Sequence, residues 1–151
     1  MRIYLVVVDE HPESAVALRF AARRAVKTNG GVEVLSLVEP QEFAPWGGVQ
    51  ATIEEEAKER AEALVQAAAG TLIAESGLQP NLTVRVGDGP RIVREMIAAN
   101  PEIAALVLGA AATGAPGPLV AHFSGTDAGA LPVPVMIIPG SLDSAAIDRL
   151  S

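Results

Sequence analysis

Five apolar runs alternate with segments of helical periodicity along the chain. The first run has no polar residue, which is typical of a strand buried on both faces of a sheet. The third run alternates between apolar and polar positions and therefore predicts a strand at a sheet edge. The runs occupy residues 3–8, 32–38, 82–86, 104–108 and 133–138.

The segments between the runs have helical features. Pro12 suits the first position of a helix after the first run, and the Asn-Gly-Gly sequence at residues 29–31 ends that helix. A long helix is predicted over residues 51–76, where apolar residues share one face. A third helix is expected to follow the Gly-Asp-Gly-Pro sequence at residues 87–90.

The fourth helical segment is the least regular part of the chain. Gly125 and Gly129 each cost about 1 kcal/mol relative to alanine inside a helix. Strands that alternate with helices nevertheless predict an α/β fold with a parallel sheet and right-handed crossovers. The expected organisation is one domain over residues 1–140 and an acidic, loosely patterned tail over residues 141–151.

The charged residues of the long helix form i,i+4 pairs of opposite sign. These pairs are Glu54 with Lys58 and Glu56 with Arg60. We interpret them as a solvated face and not as a binding patch. Three roles stay open for Phe43 and Trp46, in the turn-rich loop after the second run: covering a crevice, joining a partner surface or anchoring the loop.

Composition narrows the classes of function. The chain has 151 residues, a hydrophobic content of 50% and an aromatic content of 3%, which suits one domain with an aliphatic core. The formal charge of −7 disfavours binding to nucleic acid or to a membrane surface. Without cysteine, disulfides, thiolate nucleophiles and Cys-ligated zinc are excluded. The first apolar run is too short for a signal peptide, so a cytoplasmic location is expected.

The ends of the predicted strands carry the most informative motifs. The first run stops at Asp9 and the fourth at Gly109, and each leads into a turn-rich segment. In order and spacing, the strand-end motifs together resemble those of the universal stress protein family. The matching segments are residues 7–9 (VVD) with Ser14, 38–40 (VEP), 86–88 (VGD), 106–109 (LVLG) and 134–138 (PVMII).

The resemblance implies a more detailed fold. It implies an open, Rossmann-like sheet of five parallel strands in the order 3-2-1-4-5, of the adenine nucleotide alpha hydrolase-like type, with helices on both faces. In that order the chain changes direction between strands one and four, so Asp9 and Gly109 would face each other across a crevice. Open α/β sheets bind ligands at such a point.

ATP-binding members of the family carry a loop with Gly, two residues, Gly, nine residues, Gly, then Ser or Thr, whose backbone N–H groups hold the phosphates. Counted from Gly109, the next two glycine positions fall on Ala112 and His122, so the motif is broken in strict register. Two interpretations stay open: displaced residues rebuild an anion site, or the glycines serve turns. The displaced residues are Gly114, Gly117, Gly125 and Thr126.

The resemblance also implies roles for single residues. Asp9 would contact ribose and Val38 would contact adenine, although Asp9 has the alternative role of capping the helix after Pro12, worth about 1 kcal/mol. The complete set of predicted nucleotide-binding residues is Val8, Asp9, Val38, Leu108, Gly109, Gly114, Gly117, Ser124, Gly125 and Thr126.

The expected ligand is ATP or AMP, with Mg²⁺ if it is a triphosphate, or no cofactor at all. No Lys or Arg lies between Pro101 and Asp148. A triphosphate would therefore depend on amide dipoles and hydroxyl groups in an acidic protein. Tight binding of ATP is accordingly less favoured than in family members with an intact motif.

A catalytic interpretation is weaker. Asp9, Ser124 and either His11 or His122 could form a hydrolase site, but the sequence around Ser124 is not a Gly-x-Ser-x-Gly nucleophile elbow. A metal site with the two histidines and Asp9 or Glu10 lacks close ligand spacing. We therefore predict neither a catalytic residue nor a metal ligand.

The predicted function is a non-catalytic binding or regulatory module in the stress response, with a divergent nucleotide pocket. One alternative is a member that binds ATP or AMP, with slow or no hydrolysis and the ligand state as the signal. Another is a ligand-free structural dimer. A homodimer through strand five is expected, because residues 133–138 would form an apolar sheet edge.

Overall fold

The computed structural model describes residues 1–40 and 51–151 in full, and residues 47–50 by their backbone alone. Phe43 and Trp46 lie outside the described residues, so their role stays open. In the described chain the strands are β1 (Ile3–Val7), β2 (Gly31–Val38), β3 (Asn81–Val86), β4 (Ile103–Ala110) and β5 (Val135–Pro139). The helices are α1 (Pro12–Lys27), α2 (Gly47–Ser76), α3 (Gly89–Ala99), α4 (Pro118–Ser124) and α5 (Ser144–Leu150).

The strands form one parallel sheet in the order β3-β2-β1-β4-β5. This order confirms the predicted fold, and β3 lies at an edge as its alternating pattern predicted. Strands β2 and β3 are added in turn on one side of β1. Helix α3 then connects β3 to β4, which pairs with the other side of β1. A crevice therefore opens beyond the carboxyl ends of β1 and β4.

Helices cover both faces of the sheet. On one face α1 and α2 contact the strands through small and aliphatic residues, which lets the helices approach closely. On the other face α3 and α4 cover a second aliphatic cluster. Fully buried side chains of the two faces include Val6, Val34 and Ala21 on the first, and Leu5, Ile92 and Leu106 on the second.

Some element boundaries differ from those predicted. β4 continues through Gly109 to Ala110. β5 begins only at Val135, because Pro132 and Pro134 have no amide hydrogen for a strand ladder. The irregular fourth segment forms a helix of only seven residues, with Gly125 at its C-cap.

The chain after Gly140 is more regular than its composition suggested, because it contains helix α5. The Asp143 carboxylate caps this helix by accepting a hydrogen bond from the Ala146 amide (2.8 Å). Ile147 is buried and α5 contacts α1. The sequence left the docking of this segment open, and the structure places it against α1.

Charged contacts hold α5 on α1. The Asp148 carboxylate accepts hydrogen bonds from Arg19 (2.9 and 3.1 Å) and from Arg23 (3.1 Å). Lys27 donates to the Asp148 carbonyl oxygen (2.9 Å). The hydrogen bond from Arg19 is the main cause that lowers the pKa of Asp148, and the same contact raises the pKa of Arg19.

Candidate functional site

The crevice at the carboxyl ends of β1, β2 and β4 contains two adjoining cavities. One, of about 280 Å³, lies towards α4, and we name it the α4 cavity. The other, of about 430 Å³, lies towards α2, and we name it the α2 cavity. Asp9 and His11 line both cavities, so the two spaces meet just beyond the end of β1.

Asp9 occupies the position that the sequence predicted for it. Its carboxylate accepts a hydrogen bond from the His11 amide (2.8 Å), and its own amide donates to Ser14 Oγ (2.9 Å). The carboxylate therefore fixes the turn before α1 and caps none of the helix amides after Pro12. Within the described residues its second oxygen has no hydrogen bond, which leaves an acceptor available at the junction of the cavities.

Gly109 lies where the start of α1 passes over the end of β4. A Cβ atom at this position would overlap the Glu13 carbonyl oxygen. The missing side chain thus allows α1 to approach the sheet and form one wall of the α4 cavity. Gly109 lines this cavity as predicted, and its close neighbour is backbone of α1.

The loop between β4 and α4 forms the opposite wall of the α4 cavity. Gly117 lines it and has a φ of +119°, while Gly114 has a φ of +75° and does not line it. Both values lie in the left-handed region that favours glycine. Both conformations fit the turn interpretation, and the position of Gly117 beside the cavity leaves the anion-site interpretation open for that residue. The Pro116 carbonyl oxygen closes the loop by accepting from the Ala111 amide (3.1 Å).

Three of the predicted site residues lie at the other end of α4. Ser124 is the last residue of the helix, Gly125 is its C-cap and Thr126 follows in the turn. The residues that line the two cavities do not include any of the three. The start of α4 faces the crevice, so a displaced Gly-Thr pair after the helix is not next to it.

The turn after α4 forms a charged cluster. The Asp127 carboxylate contacts Arg94 of α3 (2.5 Å) and His122 of α4 (2.7 Å). The hydrogen bond from His122 is the main cause that lowers the pKa of Asp127, and the charge of Arg94 adds to it. His122 is thus paired with Asp127, and no hydrogen bond among the described residues joins it to Asp9 or Ser124.

The remaining predicted residues are strand ends. Val38 lines the α2 cavity and Leu108 lines the α4 cavity. Val8 is buried in the core, its amide donates to the Leu35 carbonyl oxygen (2.8 Å), and it lines neither cavity. Val8 therefore supports the position of Asp9 from below the crevice.

Several lining residues were missed by the sequence analysis. Ser14 and Glu13 lie in the first turn of α1, and their proximity to the end of β1 was the available signal. Arg60 was assigned to a solvated face and paired with Glu56, but it lines the α2 cavity and contacts Glu10 (3.9 Å). Helical spacing places four α2 residues on one face, and it does not tell which face covers the crevice. These four are Ala57, Arg60, Ala61 and Leu64.

In the described parts of the chain, no three His, Asp or Glu side chains converge in a way that could hold a metal ion. No helix of these parts combines the length and the apolar composition needed to cross a bilayer.

Comparison with known proteins gives a family and a fold. The model of the universal stress protein family matches residues 1–139, so α5 lies outside the match. A search of curated proteins gave no match.

The solved structures that resemble this one cover nearly all of it. The universal stress protein UspA from Lactobacillus plantarum has 18% identity and a TM-score of 0.77, over 91% of this chain and 97% of that one. The Archaeoglobus fulgidus universal stress protein in complex with dAMP has 19% identity and a TM-score of 0.61, over 91% and 97%. An Arabidopsis thaliana family protein with AMP bound has 14% identity and a TM-score of 0.60, over 92% of each chain. At these identities the likeness shows the fold alone.

Proposed function

Because the chain belongs to the universal stress protein family, we propose that it binds an adenine nucleoside or nucleotide in the crevice and acts as a non-catalytic regulatory module in the stress response. The observation that carries the proposal is the pair of adjoining cavities that meet at Asp9. The fold is shared with proteins solved with AMP and dAMP.

The two cavities suit different parts of such a ligand. The α2 cavity is the larger, and Val38, Ala61 and Leu64 give it the apolar walls that a base requires. We expect the second carboxylate oxygen of Asp9, a residue that lines both cavities, to accept a hydrogen bond from a ribose hydroxyl. The α4 cavity then receives the 5′ end of the ligand.

Calorimetric titration with adenosine and with AMP tests this proposal. Ala57→Phe fills the α2 cavity from α2, and we expect it to abolish binding. Ala63→Phe is the matched control, because Ala63 is exposed on the same helix and lines neither cavity. Failure of both ligands to bind at millimolar concentration would reject the proposal, and so would equal binding by the two variants.

The proposed lack of catalysis is supported by the hydrogen bonds in the crevice. Ser14 Oγ accepts from the Asp9 amide, and no hydrogen bond among the described residues joins a histidine ring to a serine hydroxyl. A serine nucleophile needs an adjacent base. We expect no nucleotide product when the protein is incubated with ATP for hours. Product formation that is lost in His11→Gln would instead support the alternative of slow hydrolysis.

We also propose a homodimer through β5. The amides of Leu106 and Gly140 form hydrogen bonds between β4 and β5. The backbone N–H and C=O groups of the even-numbered residues of β5 therefore point towards β4. Val135 and Ile137 therefore direct their backbone groups outward, and Ile137 is 39% exposed.

Sedimentation at micromolar concentration tests the dimer. We expect the native protein to sediment as a dimer, and Ile137→Lys as a monomer. Ile73→Lys is the control, because Ile73 is equally apolar, exposed and located on α2. A monomeric native protein would reject this part of the proposal.

A cytoplasmic location and a regulatory role complete the proposal. Cell fractionation tests the first: recovery in a membrane or extracellular fraction would contradict it. Survival of a deletion strain under starvation and oxidative stress tests the second. We expect the native gene to restore survival and the Ala57→Phe variant to fail.

A further inference from the structure

We infer that the crevice selects adenine ligands with no negative charge at the 5′ position, so that an uncharged nucleoside binds more tightly than its monophosphate or triphosphate. This inference rests on the proposed function. It concerns the α4 cavity, which would receive the 5′ end.

The charges around the α4 cavity disfavour a phosphate. Asp9 and Glu13 line it, and its lining includes no Lys or Arg. His11 is the one lining side chain that can take a positive charge. Two carboxylates beside a phosphate group repel it, and a neutral hydroxyl experiences no such repulsion.

The backbone of the α4 cavity compensates for these charges only in part. The first residue of α4 is Pro118, which has no amide hydrogen. The amide of Ala111 is used by the Pro116 carbonyl, whereas the amides of Gly117, Leu119 and Val120 line the cavity and have no hydrogen bond among the described residues. A helix of seven residues also has a small dipole. These neutral amides and the short helix therefore offer partial charges against two full negative charges, so the repulsion of a phosphate is only partly offset.

Arg60 is the one Lys or Arg among the described residues that line the α2 cavity, and it does not change this conclusion. Arg60 lies there with Asp9, Glu10 and Glu39, and it already contacts Glu10. Acidic side chains outnumber basic ones in both cavities. Reversing the orientation of the ligand would thus place its phosphates beside carboxylates again.

A series of ligands that differ only at the 5′ position tests the inference. The probes are 5′-amino-5′-deoxyadenosine, adenosine, AMP and ATP, titrated calorimetrically at about pH 8, where the phosphate groups carry their full charge. We expect adenosine to bind roughly tenfold more tightly than AMP, AMP more tightly than ATP, and the amine at least as tightly as adenosine. The differences should shrink in about 0.5 M salt.

Two variants test whether the charges of the α4 cavity cause the selectivity. Glu13→Gln should reduce the preference for adenosine over AMP by about threefold or more, since it removes one repelling charge. Glu62→Gln makes the same change in net charge on the exposed part of α2, and it should leave the preference unchanged.

The outcomes separate the inference from the function beneath it. Tighter binding of AMP or ATP than of adenosine would overturn the inference and leave the proposed function standing. Equal effects of the two variants would also overturn it. Absence of binding for all four probes would reject the proposed function and the inference together.

Discussion

Helix α1 presents different chemistry at its two ends. At its start, Asp9 and Glu13 line the crevice, and each has carboxylate oxygen without a partner among the described residues. From its middle towards its end, Arg19 and Arg23 are engaged by Asp148. The start therefore keeps polar groups available for a ligand, whereas the end uses them to hold α5.

The comparison teaches that charge density alone does not identify a binding site. The end of α1 is the more strongly charged part, and its charges are compensated within the fold. The start is less charged, but its groups face a cavity and lack compensation. Variants at the two ends should accordingly separate stability from binding.

The largest effect is expected where the start of α1 meets the sheet. Gly109→Ala should lower the free energy of unfolding by about 3 kcal/mol, because the added Cβ overlaps the Glu13 carbonyl and backbone must move. Urea unfolding measures the change. Gly70→Ala is the control: no atom lies within 4 Å of its added Cβ, and we expect a gain of about 0.5–1 kcal/mol. Equal midpoints for Gly109→Ala and native protein would contradict the packing role.

A smaller loss of stability is expected for Ser14→Ala. Ser14 is buried, and its Oγ is the acceptor for the Asp9 amide, which would be left without that partner. The free energy of unfolding should fall by about 1–2 kcal/mol. Ser14→Thr retains the hydroxyl and should recover part of the loss. If serine and alanine were equally stable here, the hydrogen bond would not hold the turn.

Variants of the contact between Asp148 and α1 should change stability through the loss of a charge. Asp148→Asn should lower stability at pH 7 by less than Ser14→Ala does, because Asp148 and both arginines are partly exposed. The lowered pKa of Asp148 means that its contribution is complete above about pH 4 and is lost as the pH falls further. The native protein and the variant should therefore converge in urea midpoint below about pH 4.

A double-mutant cycle tests the cause of that effect. Arg19→Gln and Asp148→Asn should be less destabilising together than the sum of the single changes. Strict additivity would mean that the two side chains do not stabilise each other. Neither single variant should alter ligand binding, since neither residue lines the crevice.

The smallest effect on stability is expected at Asp9. Asp9→Asn retains an acceptor for the His11 amide, so the free energy of unfolding should stay within about 0.5 kcal/mol of native. Adenosine binding should weaken, while the preference for adenosine over AMP should shrink. If Asp9→Asn lowered stability without changing binding, Asp9 would stabilise the fold and would not bind the ligand. Both ends of α1 would then serve stability.

The fold was predictable because its main signal is local. The buried parallel strands β1 and β4 are continuous apolar runs, and these can be recognised without knowledge of their neighbours. The strand order came from the resemblance to a family, since periodicity carries no information on which strands are adjacent. Helix α5 was missed because Ile147 is its only buried apolar residue, and its main partners lie far away in α1.

The site was predictable in position and less so in composition. Asp9 and Gly109 were found because they follow buried strands. The role of Gly109 in admitting α1 was not visible, because the contact with Glu13 joins distant segments. Ser124, Gly125 and Thr126 were included through the spacing of a motif. Because α4 ends at Ser124, these residues lie at the end of the helix that is away from the crevice. Where the helix ends depends on tertiary structure.

The contact between α1 and α5 affects when the chain can finish folding. Arg19 and Asp148 are separated by 129 positions, so α1 is synthesised long before the helix that pairs with it. Until α5 emerges from the ribosome, Arg19 and Arg23 are exposed and lack their Asp148 partner. Contacts of such long sequence separation slow folding. The native contacts of α1 are therefore completed only after α5 is available, even where the sheet begins to form earlier.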